Sequence, residues 1–173
     1  LFLAVLWLLF ILVSAKYRKT VLCIFSLGFC GYISLTALAA LVLSIAVAFV
    51  GAKAIEKNSN DKTRAKAITV ITVALFVFVL IVVKNIPYLI KMFGFDTLSK
   101  NSILTSIVLP VGFSFYAFQA IGYLYDVYQG KETAEKDIVD FALYIGFFAK
   151  LVSGPIERKG RFADQLKGLG GIN

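Results

Sequence analysis

The chain has 173 residues, 60 % of them apolar and 16 % charged, with a formal net charge of +8 and a mean hydropathy of +0.86. Soluble domains sit near half apolar with about a quarter charged, so this composition excludes an ordinary soluble domain and indicates an integral membrane protein. Lys and Arg fall mostly between the apolar runs, where the positive-inside bias puts them, and no basic surface stands apart to take nucleic acid.

Leu1–Ala15 (LFLAVLWLLFILVSA) reads as a truncated spanning helix. It is not a signal peptide, because basic residues follow it instead of leading it. Lys16–Lys19 is a short basic loop. Thr20–Gly51 carries no charge. As one straight helix it would be about 48 Å long, against a hydrocarbon core of about 30 Å. Two helices turning near Tyr32–Leu35 fit better, with one long tilted helix as the alternative. Cys23 and Cys30 belong to no CxxC pattern, and no His is present to complete a metal site. They read as small buried apolar residues.

Lys53–Lys66 reads as a polar loop rich in Lys and Arg. Ala67–Val83 is uncharged and β-branched. In lipid only helices and closed barrels satisfy the backbone, and the length suits a helix. Lys84–Ser102 is amphipathic and interrupted by Pro87 and Gly94, so it reads as an interfacial or broken helix. Ile103–Lys131 is a helix weakened in its first half by Pro110 and Gly112. Glu132–Asp137 is an exposed turn without a proper capping box. Ile138–Val152 is a helix of only about 22 Å.

The loops set an orientation. Lys16–Lys19 and Lys53–Lys66 share a side if Thr20–Gly51 is an out-and-back hairpin. Ala67–Val83 then exits, and Ile103–Tyr128 returns, which places Lys131–Lys136 on that same side. A full crossing by Ile138–Val152 would carry Arg158, Lys159, Arg161 and Lys167 to the far side, against the positive-inside bias. A re-entrant or partial span removes the conflict.

Two groups of residues stand out. Tyr116, Gln119, Tyr123 and Asp126 fall within about 80° of arc on one helix. Such a stripe either walls a substrate cavity, or makes interhelical hydrogen bonds beside an interfacial belt of Tyr123, Tyr125 and Tyr128. The second group is Ser153-Gly154-Pro155-Ile156-Glu157-Arg158. Pro155 must end or kink a helix, and Glu157 and Arg158 sit right at the break. They belong either to a helix stop before a basic loop or to a re-entrant turn facing a polar substrate or cofactor headgroup. The chain has no His, no GxSxG, no phosphate-cradling Gly-rich loop and no evident hydrolase pair of carboxylates. No catalytic centre is legible in it.

Two blocks together, LPVGFSFYAFQAIGYLYDVYQGK from Leu109 and FFAKLVSGPIERKGRF ending at Phe162, resemble the membrane-bound O-acyltransferase (MBOAT) family. The nearest branch holds the alginate O-acetylation protein and peptidoglycan O-acetyltransferases; the D-alanyl transfer protein of teichoic acid synthesis is a sibling. The resemblance implies an all-α transmembrane bundle with short, broken or re-entrant helices around a funnel. Residues 1–173 would be the N-terminal part of one such domain, cut at both ends, multi-pass in a bacterial cytoplasmic membrane. It implies acyl transfer, with acetyl the expected group, from a cytoplasmic-side donor, acetyl-CoA, to hydroxyls of a cell-surface polysaccharide, often with an extracytoplasmic partner protein. No bound cofactor or metal is expected. The family's catalytic His is expected beyond Asn173, which would leave this stretch inactive by itself. Gln119, Asp126, Ser153, Gly154, Pro155, Glu157 and Arg158 match the family blocks, with an implied role in shaping the cavity and positioning donor or acceptor. Tyr116 and Tyr123 join them through the stripe. The competing readings are D-alanyl transfer to teichoic acid, a transporter-like protein with a helix broken at the midplane, and a non-catalytic remnant.

Overall fold

The computed structural model describes residues 11–14, 17–92, 112–151, 159, 160 and 162. Among these, the fold is helical with no strand. The helices are α1 (Arg18–Ile33), α2 (Leu35–Lys57), α3 (Lys62–Met92), α4 (Phe113–Tyr128), α5 (Ile138–Gly146) and α6 (Phe148–Leu151). Most of the span expected over Leu1–Ala15 lies outside the described residues, as do Gly94 and Pro110.

The uncharged run Thr20–Gly51 folds as two helices, and the break falls at Ser34. That residue is extended (φ −163°, ψ 127°). Its N–H donates to the Cys30 carbonyl at 3.0 Å, closing α1. Its hydroxyl accepts the Ala37 N–H at 3.3 Å, opening α2. A single residue thus serves both helix ends.

The loop expected over Lys53–Lys66 is much shorter. Lys53, Glu56 and Lys57 are helical, and α3 begins at Lys62. Lys, Ala and Glu are strong helix formers, and long charged side chains reach water from a helix end. Asn58 Nδ2 donates to the Ala54 carbonyl at 2.8 Å, and the Asp61 carboxylate accepts the Thr63 and Arg64 N–H groups at 3.1 Å each. The helix boundary expected near Lys84 is also absent, since α3 continues past Pro87 to Met92.

α2 is the centre of the bundle and touches α1, α3, α4 and α5. Its buried face carries Ala37, Leu41, Ser44, Ala48, Gly51, Ala52 and Ile55. Small residues at this spacing let backbones approach closely. The approach is tightest at Gly51, where a Cβ would stand 3.0 Å from Thr72 Cγ2 on α3 and 3.3 Å from Leu124 Cδ2 on α4.

Among the described residues, two helices are long and apolar enough to cross a membrane, α2 and the Lys62–Asn85 part of α3. The most apolar stretch of α3 is only 22 % buried, which separates it from the core helix of a soluble protein. Val70, Ile71, Leu75, Phe78 and Ile81 point outward. Thr69 and Thr72 face inward, each hydroxyl donating to the carbonyl four residues earlier at 2.8 Å. Hydroxyls inside and aliphatics outside are the arrangement expected of a membrane bundle.

α4 does not begin where the sequence pattern suggests. Gly112 has φ 82°, a left-handed conformation that glycine adopts without a steric penalty, and the helix starts at Phe113. Ile103–Val111 lie outside the described residues. The single helix expected over Ile138–Val152 is corrected as well. Asp137 caps α5 by accepting the Val139 N–H at 2.8 Å, but α5 stops at Gly146. Phe147 is extended (φ −60°, ψ 121°), and α6 follows.

Most of the described charges meet at one end of the bundle. Lys19 Nζ pairs with Asp140 Oδ2 at 2.8 Å, tying the start of α1 to the first turn of α5. The Ala134 N–H donates to Glu56 Oε1 at 3.1 Å. Lys159 Nζ donates to the Thr133 carbonyl at 3.1 Å and pairs with Glu135 Oε2 at 3.0 Å. The chain that leaves α6 at Leu151 is therefore back beside the 131–137 loop by Lys159. α5 is about 13 Å long, short against a hydrocarbon core of about 30 Å.

Candidate functional site

The site is built where α4 meets the broken helix α5–α6. α4 turns one face inward, and its buried residues follow a helical spacing: Phe113, Tyr116, Ala117, Gln119, Ala120, Tyr123, Leu124 and Val127. Three of the four stripe residues are fully interior: Tyr116 is 0 % exposed, Gln119 1 % and Tyr123 2 %. Asp126 is only half-buried at the charged end. Its carbonyl accepts the Lys131 and Glu132 N–H groups, so its place is in the turn after α4. Tyr125, considered as a belt residue, is exposed and bonds to Gln129.

Each interior stripe residue has a distinct environment. Gln119 Nε2 donates to the Tyr144 carbonyl of α5 at 2.7 Å. Its Oε1 and the Tyr116 hydroxyl are buried without a hydrogen-bond partner among the described residues. The Tyr123 hydroxyl accepts the Glu135 N–H at 2.8 Å, anchoring the 131–137 loop to the bundle. Its ring packs on Phe141 (centroids 5.0 Å apart) and Tyr144 (6.0 Å). The stripe is thus partly interhelical hydrogen bonding, one of the two readings left open above. It also leaves the Tyr116 hydroxyl and the Gln119 amide oxygen in the interior with unused hydrogen-bonding capacity.

The aromatic cluster continues to the far side of α5. Phe162 is buried against Tyr144 and Phe147, with centroids 6.0 Å away in each case. Lys150 on α6 is only 9 % exposed, and its Nζ lies 4.0 Å above the Phe162 ring, within cation–π range. Phe148 reaches back to Phe29 of α1 at 6.1 Å.

Ser153, Gly154, Pro155, Glu157 and Arg158 lie outside the described residues. Their flanks are described, and both are anchored. Lys150 and Leu151 stand on α6, while Lys159 and Gly160 are held by the 131–137 loop, the Gly160 N–H donating to Glu132 Oε1 at 3.1 Å. Burial pushes the Glu135 carboxyl up. The hydrogen bond from Lys159, the backbone N–H groups of Asp137 and Lys136, and the Lys159 charge outweigh that and hold it below the usual glutamate range. The Glu135 carboxyl is therefore ionised at neutral pH.

Sequence reasoning missed Ser26, Tyr144, Lys150 and Phe162. Lys150 had a usable signal, a lone cation inside the apolar run FFAKLV, because an ionisable residue within a membrane segment marks a site by default. Ser26 had only a weak one, a hydroxyl in an uncharged helix. Tyr144 contributes its backbone carbonyl, which no side-chain pattern announces.

No family model matches the chain, and no solved structure matches it. Curated proteins do match. The chain is 38 % identical over 86 residues to the probable alginate O-acetylase AlgI of Pseudomonas fluorescens, covering 50 % of this chain and 17 % of that protein. It is 44 % identical over 64 residues to the protein of the same name from Pseudomonas syringae pv. tomato, covering 37 % and 12 %. Against that of Azotobacter vinelandii the figures are 40 % over 84 residues, 43 % and 16 %. The matched stretch thus spans no more than about a sixth of these relatives.

Proposed function

We propose that this chain is part of a membrane O-acyltransferase of the MBOAT type, in the branch of the alginate and peptidoglycan O-acetyltransferases. It would work in a bacterial cytoplasmic membrane. The acyl group is acetyl, the donor is acetyl-CoA on the cytoplasmic side, and the acceptors are hydroxyls of a cell-surface polysaccharide, reached with an extracytoplasmic partner protein. The observation that carries this reading is the 38–44 % identity to probable alginate O-acetylases. The α5–α6 geometry supports it, since a short helix broken at Phe147 and bordered by buried polar groups suits a chamber within a membrane.

In this reading the residues divide the work. Gln119, Tyr116 and Tyr123 shape the wall against which α5 and α6 are set. Ser153, Gly154 and Pro155 help to shape the cavity, and Glu157 and Arg158 position donor or acceptor, Arg158 through its fixed fork of N–H donors. Asp126 supports the turn after α4. The base that takes the hydroxyl proton is a His of the parent protein beyond Asn173, and this stretch alone does not catalyse.

The test is to delete the parent gene and measure ester-linked acetate released by mild alkali from the surface polysaccharide. Loss of acetate, restoration by the intact gene and no restoration when the intramembrane His is replaced by Ala are the expected results. Unchanged acetate with loss of ester-linked D-alanine would move the assignment to the sibling branch. No change in either ester would overturn the acyltransferase reading.

A further inference from the structure

In an unbroken helix the Phe148 N–H would donate to the Tyr144 carbonyl, four residues earlier. The extended Phe147 breaks that bond. Both halves are nevertheless satisfied, each by a side chain from a different helix. Gln119 Nε2 of α4 donates to the Tyr144 carbonyl at 2.7 Å, and the Phe148 N–H donates to Ser26 Oγ of α1 at 3.3 Å. Ser26 is well suited to this. Its own hydrogen is committed to the Leu22 carbonyl at 2.7 Å, so a lone pair is what faces Phe148. Gln119 and Ser26 are 1 % and 2 % exposed, so water does not offer an easy substitute for either.

We infer that Gln119 and Ser26 are positioning residues: a two-part clamp that holds the α5–α6 helix open at Phe147 and so fixes where α6 and Lys150 stand. The alternative is built into the same backbone. If the clamp is lost, the Phe148 N–H and the Tyr144 carbonyl can satisfy each other by closing the helix through Phe147. That closure rotates ψ of Phe147 from 121° to about −42°. It swings α6 about the end of α5 and takes Lys150 away from its place 4.0 Å above Phe162. The break is therefore held from outside, by α1 and α4, with Gly146 beside it a weak helix former and no proline between Ile138 and Leu151.

The experiment uses the full-length protein in lipid nanodiscs, with Q119L, Q119E, S26A and S26T. The first readout is hydrogen exchange of the peptide spanning residues 144–151, corrected for the intrinsic effect of pH. The second is acyl transfer, and this arm alone rests on the function proposed above. An ionised carboxylate cannot donate to the Tyr144 carbonyl, whereas a protonated one can. Burial raises the pKa of a carboxyl, so Q119E should match the wild-type pattern at low pH and depart from it as the pH rises and the carboxylate forms, while Q119L stays altered at every pH. S26A should be altered and S26T close to wild type, because the hydroxyl is retained. Transfer should follow the same order, with Q119L losing on the order of 10- to 100-fold in kcat, the scale of a misplacement of about 1 Å, and little change in KM for the donor. Exchange in Q119L indistinguishable from wild type, or Q119E altered equally at all pH values, would overturn the clamp. Absence of acyl transfer by the wild-type protein would instead count against the function, and the exchange data would still decide the clamp.

Discussion

At the scale of single residues, the bundle is most sensitive where it has no side chain at all. Gly51 lies where α2, α3 and α4 meet, with Thr72 Cγ2 and Leu124 Cδ2 already at contact distance from any added Cβ. Gly51→Val should destabilise the protein by about 1–3 kcal/mol, as overpacking of a filled site does. Gly28, also helical, has nothing within 4 Å of an added Cβ, so Gly28→Ala should be neutral or stabilising by up to about 1 kcal/mol. Thermal unfolding of both variants in the same detergent checks the contrast. Tyr123 separates two contributions: Tyr123→Phe keeps the stack on Phe141 and loses the bond from Glu135 N–H, which should cost about 0.5–1.5 kcal/mol. Glu135 adds a pH dependence. Its carboxyl is held below the usual glutamate range, so it contributes stability that is present above the ordinary carboxylate range and is lost as the pH falls through the depressed folded value. Unfolding temperatures measured from neutral to acid pH should fall less steeply in Glu135→Gln.

At the scale of elements, the helices divide into those legible from the sequence and those set by neighbours. α2 and the apolar part of α3 could be read directly, because a long uncharged run has few alternatives in lipid. By length, a break near Ser34 is the better of two readings, with one long tilted helix as the other. The extent of α2 into Lys53–Lys57 could not be read, because charge suggests a loop while Lys, Ala and Glu equally favour helix. The Phe147 break was illegible for a different reason. Its causes, Gln119 and Ser26, are 28 and 121 residues away in the chain, and the group they serve is backbone. The polar stripe on α4 was legible as a face, but not its partners. Because α3 turns Phe78 outward and Thr72 inward, Phe78→Lys should oppose membrane insertion by about 2.5–3.5 kcal/mol. A glycosylation-based insertion assay on α3 should show the inserted fraction falling, whereas Phe78→Leu leaves it unchanged.

At the scale of the whole molecule, the ion pair between Lys159 and Glu135 makes a statement about sidedness. Ser59, Lys131 and Lys159 belong to one end of the bundle, and Tyr32, which is 92 % exposed beside the Ser34 break, belongs to the other. Single cysteines at 59, 131 and 159 should react with a membrane-impermeant thiol reagent from the same side of oriented vesicles, and one at 32 from the opposite side. Reaction at 159 from the side of 32 would contradict a returning partial span. The loop charges had allowed a partial span from the sequence only as the way out of a conflict with the positive-inside bias; the contacts of Lys159 place it beside the 131–137 loop. Least legible was the centre of the site, because Ser153–Arg158 offers two equally good readings as sequence and lies outside the described residues.

The unequal lengths of α1 and α2 have a consequence for the lipid around them. Both start from Ser34, yet α1 reaches about 24 Å from that turn and α2 about 35 Å. The Lys19–Asp140 pair, at the end of the shorter leg, is therefore set roughly 10 Å below the level reached by Lys57. A bilayer with a core of about 30 Å accommodates such a step by helix tilt, by local thinning or by snorkelling side chains. Where the bilayer thins on the side of α1 and α5, a polar or charged reactant has less of the low-dielectric core to cross.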